Sequence, residues 1–233
     1  EMFPHIATVA DELTVINSMH ADSANHTPAL FVLNSGFQFN GYPALGSWLN
    51  YGLGSVNETL PGFVVMLDPT GGPISGAANW SSGFMPNVYA GVRLRNQGDP
   101  ILDVANPRGV DAKLQRASLD VIDQLNQQRL AATGDPEIAT RIASYELAAR
   151  MQTAAKEAMD VSSESEATRK LYGLDNGTTQ PFGSLCLAAR RLVERGVRFV
   201  QVFHGGGGGG AWDAHSAIKD NHTKLAAQVD LPI

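Results

Sequence analysis

The stretch ERGVRFVQVFHGGGGGGAWDAH (Glu194–His215) sets the fold class. Gly196 closes the helix that precedes it. VRFVQVF then has the β-branched and aromatic content of a strand. His204, six glycines, Trp212, Asp213 and His215 follow where that strand ends. A second run, GFVVML (Gly62–Leu67), has several apolar residues in succession, as a strand covered on both faces requires. A helix feeding straight into an apolar strand is the signature of an α/β fold with a mainly parallel sheet.

Working outward, FPHIATVADEL (Phe3–Leu13) reads as a short helix with Pro4 in its first turn, and LTVINSM (Leu13–Met19) as a buried strand. TPALFVLNSG reads as a helix from Pro28 to Gly36, and YPALGSWLNYGLGS as a second short helix closed by glycines. From Asp68 to Asn106, Pro and Gly recur among Trp80, Phe84 and Tyr89, which predicts a long ordered loop. The middle is helical. Leu114, Val121, Ile122 and Leu125 form one stripe; Ile138, Ile142, Tyr145, Ala148 and Ala155 form another, in a helix that Asp135 caps. SSESEATRKLYG and PFGSLCLAARRLVERG complete the helices, the latter with Leu185, Ala189 and Leu192 inward. Residues 68–180 thus form a loop-rich and helical insertion in one α/β domain spanning 1–233, with no internal repeat.

The chain has 233 residues, 43% of them hydrophobic and 17% charged, in the range of a soluble globular protein. A net charge of -6 argues against a nucleic-acid partner. No apolar stretch approaches the ~20 residues of a membrane span. Cys186 is the only cysteine, which excludes internal disulfides and thiolate metal clusters; its helical neighbours make it a buried small apolar residue. No export signal is visible, and neither Glu1 nor the closing VDLPI has the character of a natural terminus, so the expectation is a segment incomplete at both ends.

The polar chemistry gathers at two places. His20, Asp22 and His26 follow LTVINSM; His204, Asp213, His215 and His222 follow VRFVQVF. In an open parallel sheet, ligands bind outside the carboxyl ends of the strands, so both groups are expected at one edge. His215 and His222 are seven residues apart, close to two helical turns, with Asp213 just before that helix. One carboxylate and two imidazoles suit a divalent metal; the plainer alternative is that His215 caps the helix and His222 is exposed. His20 and Asp22 read either as orienting residues or as turn and cap residues. The glycine run reads as a flexible hinge with Trp212 anchoring its far end, rather than as a phosphate loop, because Asp213 would place negative charge where a phosphate belongs. There is no G-x-S-x-G and no H-E-x-x-H.

The blocks SMHADSANHTPALFVLNSG, PALGSWLNYGLGSVNETLPGFVV, ARRLVERGVRFVQVF and WDAHSAIKDNH together resemble an uncharacterised bacterial sulfatase-like family, domain of unknown function 1501, placed in the alkaline phosphatase-like superfamily. That resemblance implies an alkaline phosphatase-like α/β sheet and a metal-dependent site that hydrolyses sulfate or phosphate esters. It implies Asp213, His215 and His222 as ligands of a divalent ion (Zn, Ca or Mn), a small-molecule or polysaccharide ester as substrate, and a periplasmic or extracellular location. It also implies acidic blocks on either side of the chain that supply further ligands. NHTPALFVLNSG resembles the nucleophile segment of sulfatases and phosphodiesterases, aligned through Pro28 and Gly36. His26 then stands at the nucleophile position and Thr27 one place after it, where the pattern calls for Cys, Ser or Thr. His26 is accordingly a phosphorylatable nucleophile, a metal ligand, or a mark of lost hydrolysis. The sequence therefore carries two functional readings: an ester hydrolase, and a non-catalytic exported binding or surface protein on the same fold.

Overall fold

A computed structural model describes residues 2–95, 98, 100, 101, 106, 108–207 and 210–233. At its centre β1 (Phe63–Leu67) runs parallel to β2 (Val92–Leu94) on one side and to β3 (Phe199–Phe203) on the other. The register pairs Val64 with Val92 and with Val200. Phe63, Val64, Val65 and Met66 are wholly buried. The two-residue period of the strand divides them between two cores. Val64 and Met66 join Leu185, Leu192 and Met151 on one face; Phe63 and Val65 join Ala44 and Trp80 on the other.

The helices follow from their caps. Asn25 accepts from the Thr27 N–H and opens α2 (His26–Ser35), which Gly36 ends in the left-handed region at φ 82°. α3 (Leu45–Leu53) lies against the sheet through Gly46, where a Cβ would stand 2.6 Å from the Phe199 ring and 2.7 Å from that of Phe63. In the helical hairpin of α4 (Ala112–Thr133) and α5 (Pro136–Met159), Asp111 and Asp135 cap the two helices, and α5 reaches the core through Met151, Ala155 and Ala158. α6 (Glu166–Leu171) leads to α7 (Gln180–Glu194), whose Leu185 and Leu192 are fully buried. Cys186 lies half-buried in α7, and burial pushes its thiol up to about 12, so it is protonated at neutral pH. α8 (Ile218–Val229) closes the chain, and the buried Asp230 after it accepts from the His5 and Ile6 N–H groups of α1 (Pro4–Ala7).

The α/β class and the parallel sheet agree with the sequence, but two strand assignments differ. LTVINSM is not a strand: Val15, Ile16 and Met19 are 72%, 64% and 75% exposed. Both sides of β1 are already taken, and an apolar run with no ladder partner cannot hide its backbone. The place beside β1 belongs instead to β2, three residues inside the segment read as loop. Gly91 makes that approach feasible, since a Cβ there would meet Val65 at 2.8 Å and Phe63 and Trp80 at 3.0 Å. The stripe on α4 is real as a pattern yet exposed, because the main packing partner of α4 among the described residues is α5.

Gly46 offers a direct test of the α3–sheet contact. Gly→Ala within a helix gains about 1 kcal/mol of propensity, whereas overpacking a filled core costs about 1–3 kcal/mol. The two rings that the added methyl group would strike are themselves held between sheet and helix. Gly46→Ala is therefore expected to destabilise the protein in urea unfolding, and stabilisation would show that α3 is free to move away from Phe63 and Phe199.

Candidate functional site

The carboxyl ends of β1 and β3 lead into two loops that interlock. Asp68, directly after β1, accepts from Thr70 N (2.9 Å) through Oδ1 and from Gly205 N (2.8 Å) through Oδ2. Gly207 N donates to the Gly72 carbonyl at 3.2 Å, and a side chain on Gly206 would run into the Gly71 carbonyl. The described glycines of the run are thus tied down rather than forming a slack hinge; Gly208 and Gly209 lie outside the described residues. Gly205, Gly207 and Gly210 all take positive φ, which only glycine adopts without strain.

Beyond the run the chain is pinned by Trp212. Its indole Nε1 donates to His204 Nδ1 at 3.1 Å, and its ring joins the core that contains Leu185 and Met66. With Nδ1 accepting, the other nitrogen of His204, Nε2, carries the hydrogen and donates to Gln228 Oε1 at 2.9 Å; Asp68 Oδ2 lies further off, at 3.7 Å. His222 Nε2 donates to the Trp212 carbonyl at 2.8 Å. His204 and His222 therefore hold Trp212 from both sides, and Trp212 fixes the residue after it, Asp213.

Asp213 receives two imidazoles on one oxygen. His26 Nε2 stands 2.9 Å and His215 Nε2 2.8 Å from Oδ2. A carboxylate only accepts, so both Nε2 atoms carry hydrogens. The hydrogen bond from His215, with the nearby His26, holds the Asp213 carboxyl below the usual aspartate range. His26 arrives here on the first turn of α2, and α2 is held over the sheet by a chain of amides. Gln201 of β3 donates to Asn34 Oδ1 (2.6 Å), Asn34 donates to Asn79 Oδ1 (3.2 Å), and Asn79 donates to the Ile74 carbonyl (2.7 Å). Thr27, beside His26, accepts from Ser75 Oγ at 3.3 Å. Ser75 is one of two non-glycine residues with positive φ among those described, at 69°; the other, Ala217 at 46°, lies just after His215. Such conformations cost about 1–3 kcal/mol each and gather where function constrains the backbone.

Of the residues singled out in the sequence, His26, Asp213 and His215 come together, Thr27 lies beside them, and His222 is directed to a backbone carbonyl instead. His20 and Asp22 are exposed, with His20 Nδ1 3.4 Å from the Ser18 carbonyl. Among the described residues, no group of three or more His, Cys, Asp or Glu side chains is spaced to enclose a metal ion. Asp68 was not anticipated, although its place right after an apolar strand is the same signal that marks His204. With Thr70, Thr178, Phe182, His204 and Gln228 it lines a cleft of about 300 Å³. Ser75 had no signal at all in the sequence.

Because folding lowers the Asp213 pKa, the hydrogen bonds its carboxylate accepts add stability that is fully present above the ordinary aspartate value. That stability is lost as pH falls through the lowered value. Wild type and Asp213→Asn should differ in thermal stability near neutral pH and converge in acid, as followed by circular dichroism. A constant gap down to acid pH would mean that Asp213 carries no such pairing.

No curated protein and no solved structure matches the chain. The chain belongs, over residues 1–233, to the family described as "Protein of unknown function (DUF1501)".

Proposed function

We propose that this chain carries the attacking and metal-binding segments of a hydrolase acting on sulfate or phosphate esters, on an alkaline phosphatase-like α/β fold. The observation that carries this reading is the meeting of His26 and His215 on Asp213 Oδ2, from segments far apart in sequence, at the carboxyl end of a parallel sheet.

The donor types are those of a divalent-ion site, but as they stand in the structure they bond to one another and are not spaced to enclose an ion. One carboxylate and two imidazoles suit Zn or Mn better than Ca, which prefers an all-oxygen shell. To hold one with Asp213, His26 and His215 would have to turn from Oδ2, to which both Nε2–H groups donate; His222 supports the segment through Trp212. Such an ion would polarise the ester and stabilise charge on the departing oxygen. The chain's own contribution is positional. Asp213, kept ionised, fixes the ring orientation of both imidazoles. α2 directs its positive N-terminal end at the same place, which favours an anionic ester group. Thr27 supplies a hydroxyl beside His26. The non-catalytic reading, of an exported binding or surface protein, draws on the imidazole at position 26 where the resemblance calls for a hydroxyl or thiol.

Protein dialysed against Zn, Mn or Ca and then stripped of free ion is expected to retain Zn or Mn, measured by mass spectrometry, and to gain thermal stability. The gain should be larger at pH about 7.5 than at about 5.5, because ligand protons must leave. His26→Ala and Asp213→Asn should each lose the retained metal. The metal-loaded protein should cleave an aryl sulfate or aryl phosphate, with His26→Ala lowering the rate at least about 100-fold. Metal retention without cleavage would leave the binding-protein reading; neither metal nor cleavage would remove the hydrolase.

A further inference from the structure

We infer that the face built by α3 and the loops beside it is an interface between two copies of this chain. α3 is turned contrary to the usual amphipathic rule. Its small residues Gly46 and Ser47 are buried on the sheet, the Ser47 hydroxyl donating to the Ser81 carbonyl at 3.1 Å, while Leu45, Trp48, Tyr51 and Leu53 point outward. Trp48 is 44% exposed, Tyr51 57% and the neighbouring Phe84 66%.

These rings are contiguous. Phe37 stacks on Tyr42 (centroids 3.8 Å apart), Tyr42 meets Phe84 edge-on (6.3 Å), Phe84 meets Trp48 (6.0 Å), Trp48 meets Tyr51 (6.5 Å) and Tyr51 meets Tyr89 (5.3 Å). A continuous exposed aromatic surface on a soluble domain marks a contact with another molecule.

Charge and relief identify the occupant. From Ser23 to Val92 the chain has only two charged residues, Glu58 and Asp68, and Asp68 is buried. The whole chain carries a net charge of -6, and two copies meeting through this nearly uncharged stretch avoid bringing that excess negative charge into contact. The rings beyond Tyr42 stand at 73° to 87° to one another, which makes a corrugated surface. Ridges and grooves of that kind interdigitate with a second copy about a two-fold axis, whereas a sugar chain calls for flat, coplanar rings. The exposed stripe on α4 lacks this character, being interleaved with Lys113, Arg116, Asp120 and Asp123.

Sedimentation equilibrium over about 1 to 100 µM should show a monomer–dimer equilibrium that raised salt leaves unchanged or strengthens. Trp48→Glu/Phe84→Glu should raise the dimer Kd at least about tenfold, with circular dichroism and Tm showing an intact fold. Should that variant fail to fold, Tyr51→Gln/Phe84→Gln makes the same test without added charge. A wild type that stays monomeric throughout the range overturns the inference. So does a dimer that the folded variant leaves untouched, or a monomeric wild type whose aromatic face binds cellohexaose or xylohexaose.

Discussion

Complete burial of β1 is the constraint on which the remainder of the molecule rests. Four consecutive side chains with no exposed surface require a cover on both faces and a hydrogen-bonded neighbour on both edges. Each requirement fixes another part of the chain. The edges take β2 and β3, one face takes α5 and α7, and the other takes α3 and Trp80. Burial of Val, Met and Phe side chains contributes about 1.5–3 kcal/mol each, so the strand is the energetic centre of the domain as well as its geometric centre. The loops that leave β1 and β3 are side by side for the same reason, and the polar groups they carry meet there.

The glycines serve that closeness in two different ways. Gly46 and Gly91 let a helix and a strand approach the rings around Phe63, a matter of space. Gly205, Gly207 and Gly210 let the chain turn with positive φ after β3, a matter of backbone angle. Both kinds act at the site from a distance. The first sets how closely α3 and β2 lie against β1, and the second sets where Trp212 lands and hence where Asp213 points.

How much of this was legible in the residues depends on how local the signal is. GFVVML and VRFVQVF announced themselves by four or more strand-forming residues, and α2, α5 and α7 by caps and glycines close at hand. β2 was hidden because three residues beside a glycine carry no period. LTVINSM misled because β-propensity says nothing of whether an edge is free to receive it. The meeting of His26 with Asp213 was expected on the ground that both follow strands; the structure reaches it by another route, through α2 and the amides Gln201, Asn34 and Asn79. Such an amide chain spans three remote segments, and no short window of sequence contains it. His222 shows the converse: its spacing reads as two helical turns from His215, but α8 begins only at Ile218, so His215 lies before the helix, and the Trp212 carbonyl, a backbone group invisible to any motif, claims His222.

Two carboxylates of the last segment fasten the first. Asp230 grips the backbone of His5 and Ile6, and Asp213 grips His26, so the chain between them forms a ring clasped at two points. The exposed apolar residues Val15, Ile16 and Met19 lie inside that ring. Configurational freedom there is limited by the clasps and not by side-chain burial. Opening the Asp230 clasp turns the ring into a tail that starts at α2, which the amides of Gln201, Asn34 and Asn79 keep in place. The N-terminal segment is in this way anchored at the imidazole cluster, although no side chain of α1 need touch the site.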